Sequence, residues 1–208
     1  MARIHSTSGR RRTLAASALA TSVLAAVAAS GSPAVAAPPT TDTYTTTGAE
    51  VEWVQERSDG IFRITSVAIY LYDGWSEVAV STSDYHCAPG QVLPSVDAEG
   101  EYCSWVDGTV LQGFDDSVAL TSSSSTVRAS GTLYRFDDDG SRIDPTVIDV
   151  AVERTSKPRT TRTMSTWQGG SERVITTTGT AQLSGTIGSE SVDRAGTLWE
   201  QTQIVRWR

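Results

Sequence analysis

The scarcest reactive side chains of this 208-residue chain fall within one stretch, YHCAPGQVLPSVDAEGEYCSW, residues 85–105. It holds both cysteines, Cys87 and Cys103, and His86, one of only two histidines. Three chemistries fit such a cluster: a metal site, a thiolate activated by an imidazole, or a disulfide with a histidine beside it. A structural zinc asks for four protein ligands in closely spaced pairs, and no second pair exists. A Cys–His nucleophile requires the other thiol to stay reduced. A Cys87–Cys103 disulfide needs only an oxidising compartment, and the loop it closes removes about 3 kcal/mol worth of unfolded-chain entropy. His86 is also the only conventional base for a Ser–His–Asp arrangement, but no Gly-x-Ser-x-Gly elbow accompanies it. The stretch therefore reads as a stapled loop with aromatic feet. Tyr85, Tyr102 and Trp105, together with Trp75, are the candidate ligand-binding residues, and no catalytic residue is assigned.

Acids form a second cluster, Phe114-Asp115-Asp116 and Phe136-Asp137-Asp138-Asp139-Gly140-Ser141-Arg142-Ile143-Asp144. Calcium takes several carboxylates from one flexible loop, and Asp137, Asp139 and Asp144 are the set this loop offers. Their spacing departs from the twelve-residue helical-loop pattern, so a solvated hairpin tip is the competing reading. No cofactor is expected beyond that calcium. Two acids on facing loops also define glycoside hydrolysis, although nothing in the sequence pairs them. Six tryptophans (Trp53, Trp75, Trp105, Trp167, Trp199 and Trp207) complete the inventory. At strand ends they stack on sugars or cap the open ends of a core, and capping is the preferred expectation.

The N-terminus sets the compartment. Arg3, Arg10, Arg11 and Arg12 precede a mostly apolar run from Leu14 to Ala29, and Ala34-Val35-Ala36 supplies the small-x-small pattern a signal peptidase reads. Residues 1–36 are thus expected to be a signal peptide, cleaved near Ala36, by the general or the twin-arginine route. The apolar run is too short to span a bilayer, and no second one follows. The mature protein is expected to be secreted, with no membrane span. One lysine beside sixteen arginines suggests a bacterial source.

The full chain carries a formal charge of −7, which becomes −11 once the four leading arginines are gone. Residues 38–156 hold 20 acids and 6 bases, whereas 157–208 hold 4 acids and 7 bases. An acidic surface of this kind repels nucleic acid, which is excluded as a partner.

These residues must be positioned by strands. In VAIYLY, Val67, Ile69 and Leu71 point one way while Ala68, Tyr70 and Tyr72 point the other, and TVIDVAVE alternates likewise. Asp59-Gly60, Asp73-Gly74, Asp107-Gly108, Asp139-Gly140 and Gly169-Gly170 are turn pairs that tolerate positive φ. No run carries a helical stripe. Nine or ten strands are predicted, from the candidates 50–57, 61–72, 76–84, 101–106, 117–122, 126–136, 146–155, 161–168, 172–187 and 195–207. Hairpins in sequence without crossover helices make a single all-β domain over 50–208, an antiparallel barrel or two-sheet sandwich with one disulfide. Residues 37–49, APPTTDTYTTTGA, read as a Pro/Thr-rich linker or arm.

The functional expectation is a non-enzymatic β-domain that binds an extracellular partner, glycan or small molecule at its strand-end loops. A carboxylate-dependent glycoside hydrolase and a structural surface protein without a pocket are the alternatives. If the cysteines are paired, the intact protein shows no thiol under denaturant; one reactive thiol per chain would refute the staple.

Overall fold

The computed structural model describes residues 39–58, 60–88 and 103–207, so the expected signal peptide lies outside the described residues. Within these the secondary structure is all strand: β1 (Thr41–Ser58), β2 (Ile61–Tyr72), β3 (Trp75–Cys87), β4 (Cys103–Phe114), β5 (Val118–Ser122), β6 (Thr126–Phe136), β7 (Arg142–Arg154), β8 (Arg159–Trp167), β9 (Gly170–Ile187) and β10 (Glu190–Trp207). All pair antiparallel in one sheet. The β2–β3 connection is a two-residue hairpin, which needs positive φ, and Gly74 provides it at 84°. Asp107-Gly108 is not a turn. It lies inside β4, where Asp107 Oδ1 accepts the Gly108 amide proton at 2.8 Å.

The pairings close into a circuit. From β1 they run through β2, β3, β4, β6, β7, β9 and β10, and β10 returns to β1. The β4–β6 link is a single residue pair, Gln112 with Tyr134, and β5 pads that corner by pairing with the first half of β6. On the opposite side β9 and β10 pair along their whole length, from Ile187↔Glu190 to Gly170↔Trp207.

Closure gives every strand an inside and an outside. The inward positions carry one apolar core: Ala49 and Val51 (β1), Val67 and Ile69 (β2), Val78 and Val80 (β3), Val118 (β5), Val127, Ala129 and Leu133 (β6), Ile148, Val150 and Val152 (β7), Ala181 and Leu183 (β9), Val192 and Leu198 (β10). Burying such side chains is the main stabilising contribution of the fold, roughly 1.5–3 kcal/mol each. Many outward positions on the same strands are Ser, Thr, Gln or charged, which is the sequence alternation read in space.

Residues 41–49 do not form a linker. They are the first half of β1, paired with β10 from Thr41↔Arg206 to Ala49↔Leu198. Threonine accepts an extended backbone readily, and the partner strand lies some 160 residues later, out of reach of any local pattern. Beyond the end of β2, β1 (41–46), the second half of β10, the first half of β9 and β8 continue as a four-strand extension.

Gly185 sits inside β9 at φ 134°, and a Cβ there would land on the Asp149 carbonyl oxygen of β7. Gly185→Ala is expected to cost about 1–3 kcal/mol, read as a lowered midpoint in urea melts. An unchanged midpoint would mean that the β7–β9 approach is looser than described.

Candidate functional site

The disulfide is present. Cys87 and Cys103 are directly opposite one another at the ends of β3 and β4, with Cα atoms 4.0 Å apart, and free cysteines are absent. Tyr85 pairs with Trp105 two residues further along, and a bulge follows between Tyr85 and Asp84. Tyr102 lies outside the described residues. Trp75 begins β3 while Tyr85 is ten residues on, so the strand rise separates them by roughly 33 Å. Trp75 therefore does not share a site with Tyr85 and Trp105.

At the disulfide end the sheet reverses its polarity. The buried face of β2 switches between Ile64 and Thr65: Phe62 and Ile64 face outward, and Thr65, Val67 and Ile69 face inward. Phe62, Ile64 and Cys87 form a second apolar cluster with Tyr85 and Cys103. The inward face there carries charge instead. Arg63 Nε and Nη2 donate to the two Asp84 carboxylate oxygens at 2.7 and 2.6 Å, and Arg194 lies 5.6 Å from the ring centre of Trp53. The Arg63 hydrogen bonds hold the Asp84 carboxyl below its ordinary range, against a smaller opposing effect of burial.

The acidic tip uses its carboxylates locally. Asp137 Oδ1 and Asp139 Oδ1 both accept the Ser141 amide proton, at 2.8 and 2.9 Å, and the Ser141 hydroxyl donates to Asp139. These bonds, the hydroxyl's first, hold Asp139 below the ordinary carboxylate range. Asp144 is ion-paired to Arg135 at 2.6 Å, and its φ of 51° marks a left-handed kink. Among the described residues no group of three or more His, Cys, Asp or Glu is arranged to hold a metal ion. Asp84 and Asp139 are both displaced downward, opposite to what a general acid requires.

The tryptophans do not mainly cap the core. Trp75, Trp105, Trp167 and Trp207 are exposed, and Trp53 is the one packed against the core. In their place the register assembles an outward aromatic stripe that crosses five strands. Trp199 (β10) lies 6.2 Å from Tyr70 (β2), which is 6.1 Å from Tyr72. Tyr72 stacks on Trp75 (β3) at 4.8 Å, Trp75 on Phe114 (β4) at 6.4 Å, and Phe114 tilts against Phe136 (β6) at 6.2 Å. Gly48 on β1 makes room for it, because a Cβ there would strike the Trp199 ring.

Polar groups edge these rings. Tyr70 Oη donates to Glu50 Oε1 at 2.9 Å, and Gln112 Nε2 donates to Glu77 Oε1 at 3.1 Å. Burial, then the Glu50 hydrogen bond, pushes the Tyr70 hydroxyl pKa up, so it stays a neutral donor. Asp115 anchors the end of β3 by accepting from the Ser76 amide at 2.7 Å and from the Ser76 hydroxyl. Tyr72 also lines an open cleft of about 290 Å³, whose other walls include Thr43, Thr45, Thr47, Asp73 and Ser122. Only Trp75 of this stripe was a sequence candidate. The remaining rings are spread from residue 70 to 199, and the cross-strand register alone brings them together.

No family model, curated protein or solved structure matches the chain.

The Arg63–Asp84 pair carries a pH signature. Because the folded carboxyl is held below the unfolded value near 3.9, its contribution is complete above about pH 5 and is lost as pH falls through the folded value. Asp84→Asn is expected to destabilise by about 1 kcal/mol at pH 7, discounted for the solvent that still reaches the pair, and by less at pH 3. Urea melts at the two pH values measure it; an equal loss at both would show that the charge is not the cause.

Proposed function

We propose that the chain is a secreted, non-enzymatic binding β-domain whose ligand is a neutral glycan laid along the outward aromatic stripe. Export is supported by the N-terminal segment together with a disulfide, which persists in oxidising compartments. The observation that carries the ligand class is the Tyr72–Trp75 pair. These rings stack on each other yet keep 38% and 41% of their surface exposed, although an apolar core was available to take them. Large exposed rings with a row of hydrogen-bonding groups beside them suit a ligand that has apolar faces and hydroxyl edges. Sugar rings have both. Glu50, Glu77, Gln112 and Asp73 are the groups placed to receive hydroxyls.

The site is preorganised by strands rather than loops. Each ring is fixed by its register position, so little side-chain entropy remains to be lost on binding. The acidic surface around the stripe argues for a neutral over an anionic glycan.

Titration with a set of soluble β-linked hexasaccharides, followed by calorimetry and tryptophan fluorescence, tests the reading. At least one is expected to bind without being cleaved, with Trp75→Ala weakening it about tenfold and Trp105→Ala leaving it unchanged. Binding that Trp105→Ala abolishes and Trp75→Ala does not would move the site to the disulfide end. No binding by any of them would remove the glycan assignment.

A further inference from the structure

The circuit is closed only in part, and the longest regular edge is the outer strand of the four-strand extension, β8. This strand pairs with β9 alone, from Arg159↔Thr178 to Trp167↔Gly170, without a bulge. All nine of its residues are exposed, Met164 at 72% and Trp167 at 42%. A long regular edge presents unpaired amides and carbonyls to any strand that approaches, and proteins ordinarily blunt it with proline, lysine, inward charge or a bulge. β8, RTTRTMSTW, contains no proline, lysine or bulge, and Arg162 is its one charge on the inner face. The other open stretches are treated differently. β4 meets β6 at one pair only, and its lower half is broken by the bulge beside Tyr85. The leading part of β1 carries Asp42, whose carboxylate accepts from Trp207 Nε1 at 2.9 Å.

We propose that β8 is a homodimer interface, pairing antiparallel with β8 of a second copy about a two-fold axis through Thr163. The sequence of the strand is complementary to itself in that register. Arg159 falls opposite Trp167 of the other copy, Thr160 opposite Thr166, Thr161 opposite Ser165 and Arg162 opposite Met164. Both arginines thereby meet an apolar or aromatic side chain, and no charge faces its like directly. Arg159 and Trp167 share the outward face, where a guanidinium over an indole is favourable. The two Arg162 side chains lie on a diagonal, not opposite each other, and their long stems let the guanidinium groups splay apart into solvent. Shifting the register by two residues in one direction sets Arg162 directly against Arg162 of the other copy, and in the other direction sets Arg162 against Thr166; both lose the Arg–Trp pair. A two-fold axis makes the contact isologous and closed, so pairing stops at the dimer. The result is an eight-strand sheet through β1, β10, β9 and β8 of each copy. The aromatic stripe lies mainly on β2, β3, β4 and β6 and stays outside the interface.

The test uses the oxidised protein by sedimentation equilibrium, together with two single-cysteine variants. The unaltered chain is expected to sediment at twice its monomer mass at high micromolar concentration. Thr163→Cys places two thiols at a directly opposed pair, with Cα atoms roughly 4.5–5.5 Å apart and within disulfide reach. It is expected to cross-link to a dimer in air, while Thr161→Cys, which faces Ser165 of the other copy, does not. A monomer at all concentrations with no Thr163→Cys cross-link would overturn the proposal. Equal cross-linking of both variants would overturn the register, and species larger than a dimer would indicate open head-to-tail addition instead. Thr163 is exposed, so the variant should fold, and the mass of the unaltered protein decides the matter if it does not.

Discussion

Everything in this fold depends on the β9–β10 hairpin lying against β1. Without that pairing the sheet would be an open meander whose apolar face had nothing to cover it. With it, β10 hands the chain's last strand back to its first, and the inward positions of the closed circuit supply one core. The same two strands are longer than the core requires. Their far halves therefore continue past it and carry β8 and the start of β1 as an extension. Closure and extension are consequences of one long ladder.

A filled interior decides where recognition can occur. Val, Ile and Leu occupy the inside, so the chain's large rings are pushed to the outward face, and cross-strand neighbours gather them into a line. At the disulfide end the arrangement inverts: Phe62 and Ile64 turn outward beneath the Cys87–Cys103 staple, while Arg63 and Asp84 clamp each other on the inner side. The staple thus holds together two strand ends at the place where the core no longer does. That is a structural task, and the surface we propose for recognition is the stacked pair at the opposite end of β3.

The strand pattern was legible because local chemistry bounded it. Residues 61–72 and 126–136 form strands over the ranges the alternation indicated, each followed by a turn with an Asp-Gly pair. The disulfide was legible from cysteine count and an inferred oxidising compartment. The first half of β1 was not, since threonines on both faces give no alternation and its partner is the C-terminal strand. Asp107-Gly108 misled because a pair that suits a turn also fits a strand beside a bulge. The aromatic stripe was invisible for a different reason. Trp75 and Trp105 are on consecutive long strands and stand at opposite ends of them, whereas Tyr70 and Trp199 look remote in sequence and their rings meet.

The claim that closure by β9–β10 holds the whole sheet together can be measured by native-state hydrogen exchange. Core amides at Leu183 and Leu198 should exchange only through global unfolding, with the same free energy and denaturant dependence as those at Val67 and Val80. Opening of β9 and β10 at a clearly lower free energy, with β2 and β3 still protected, would contradict it.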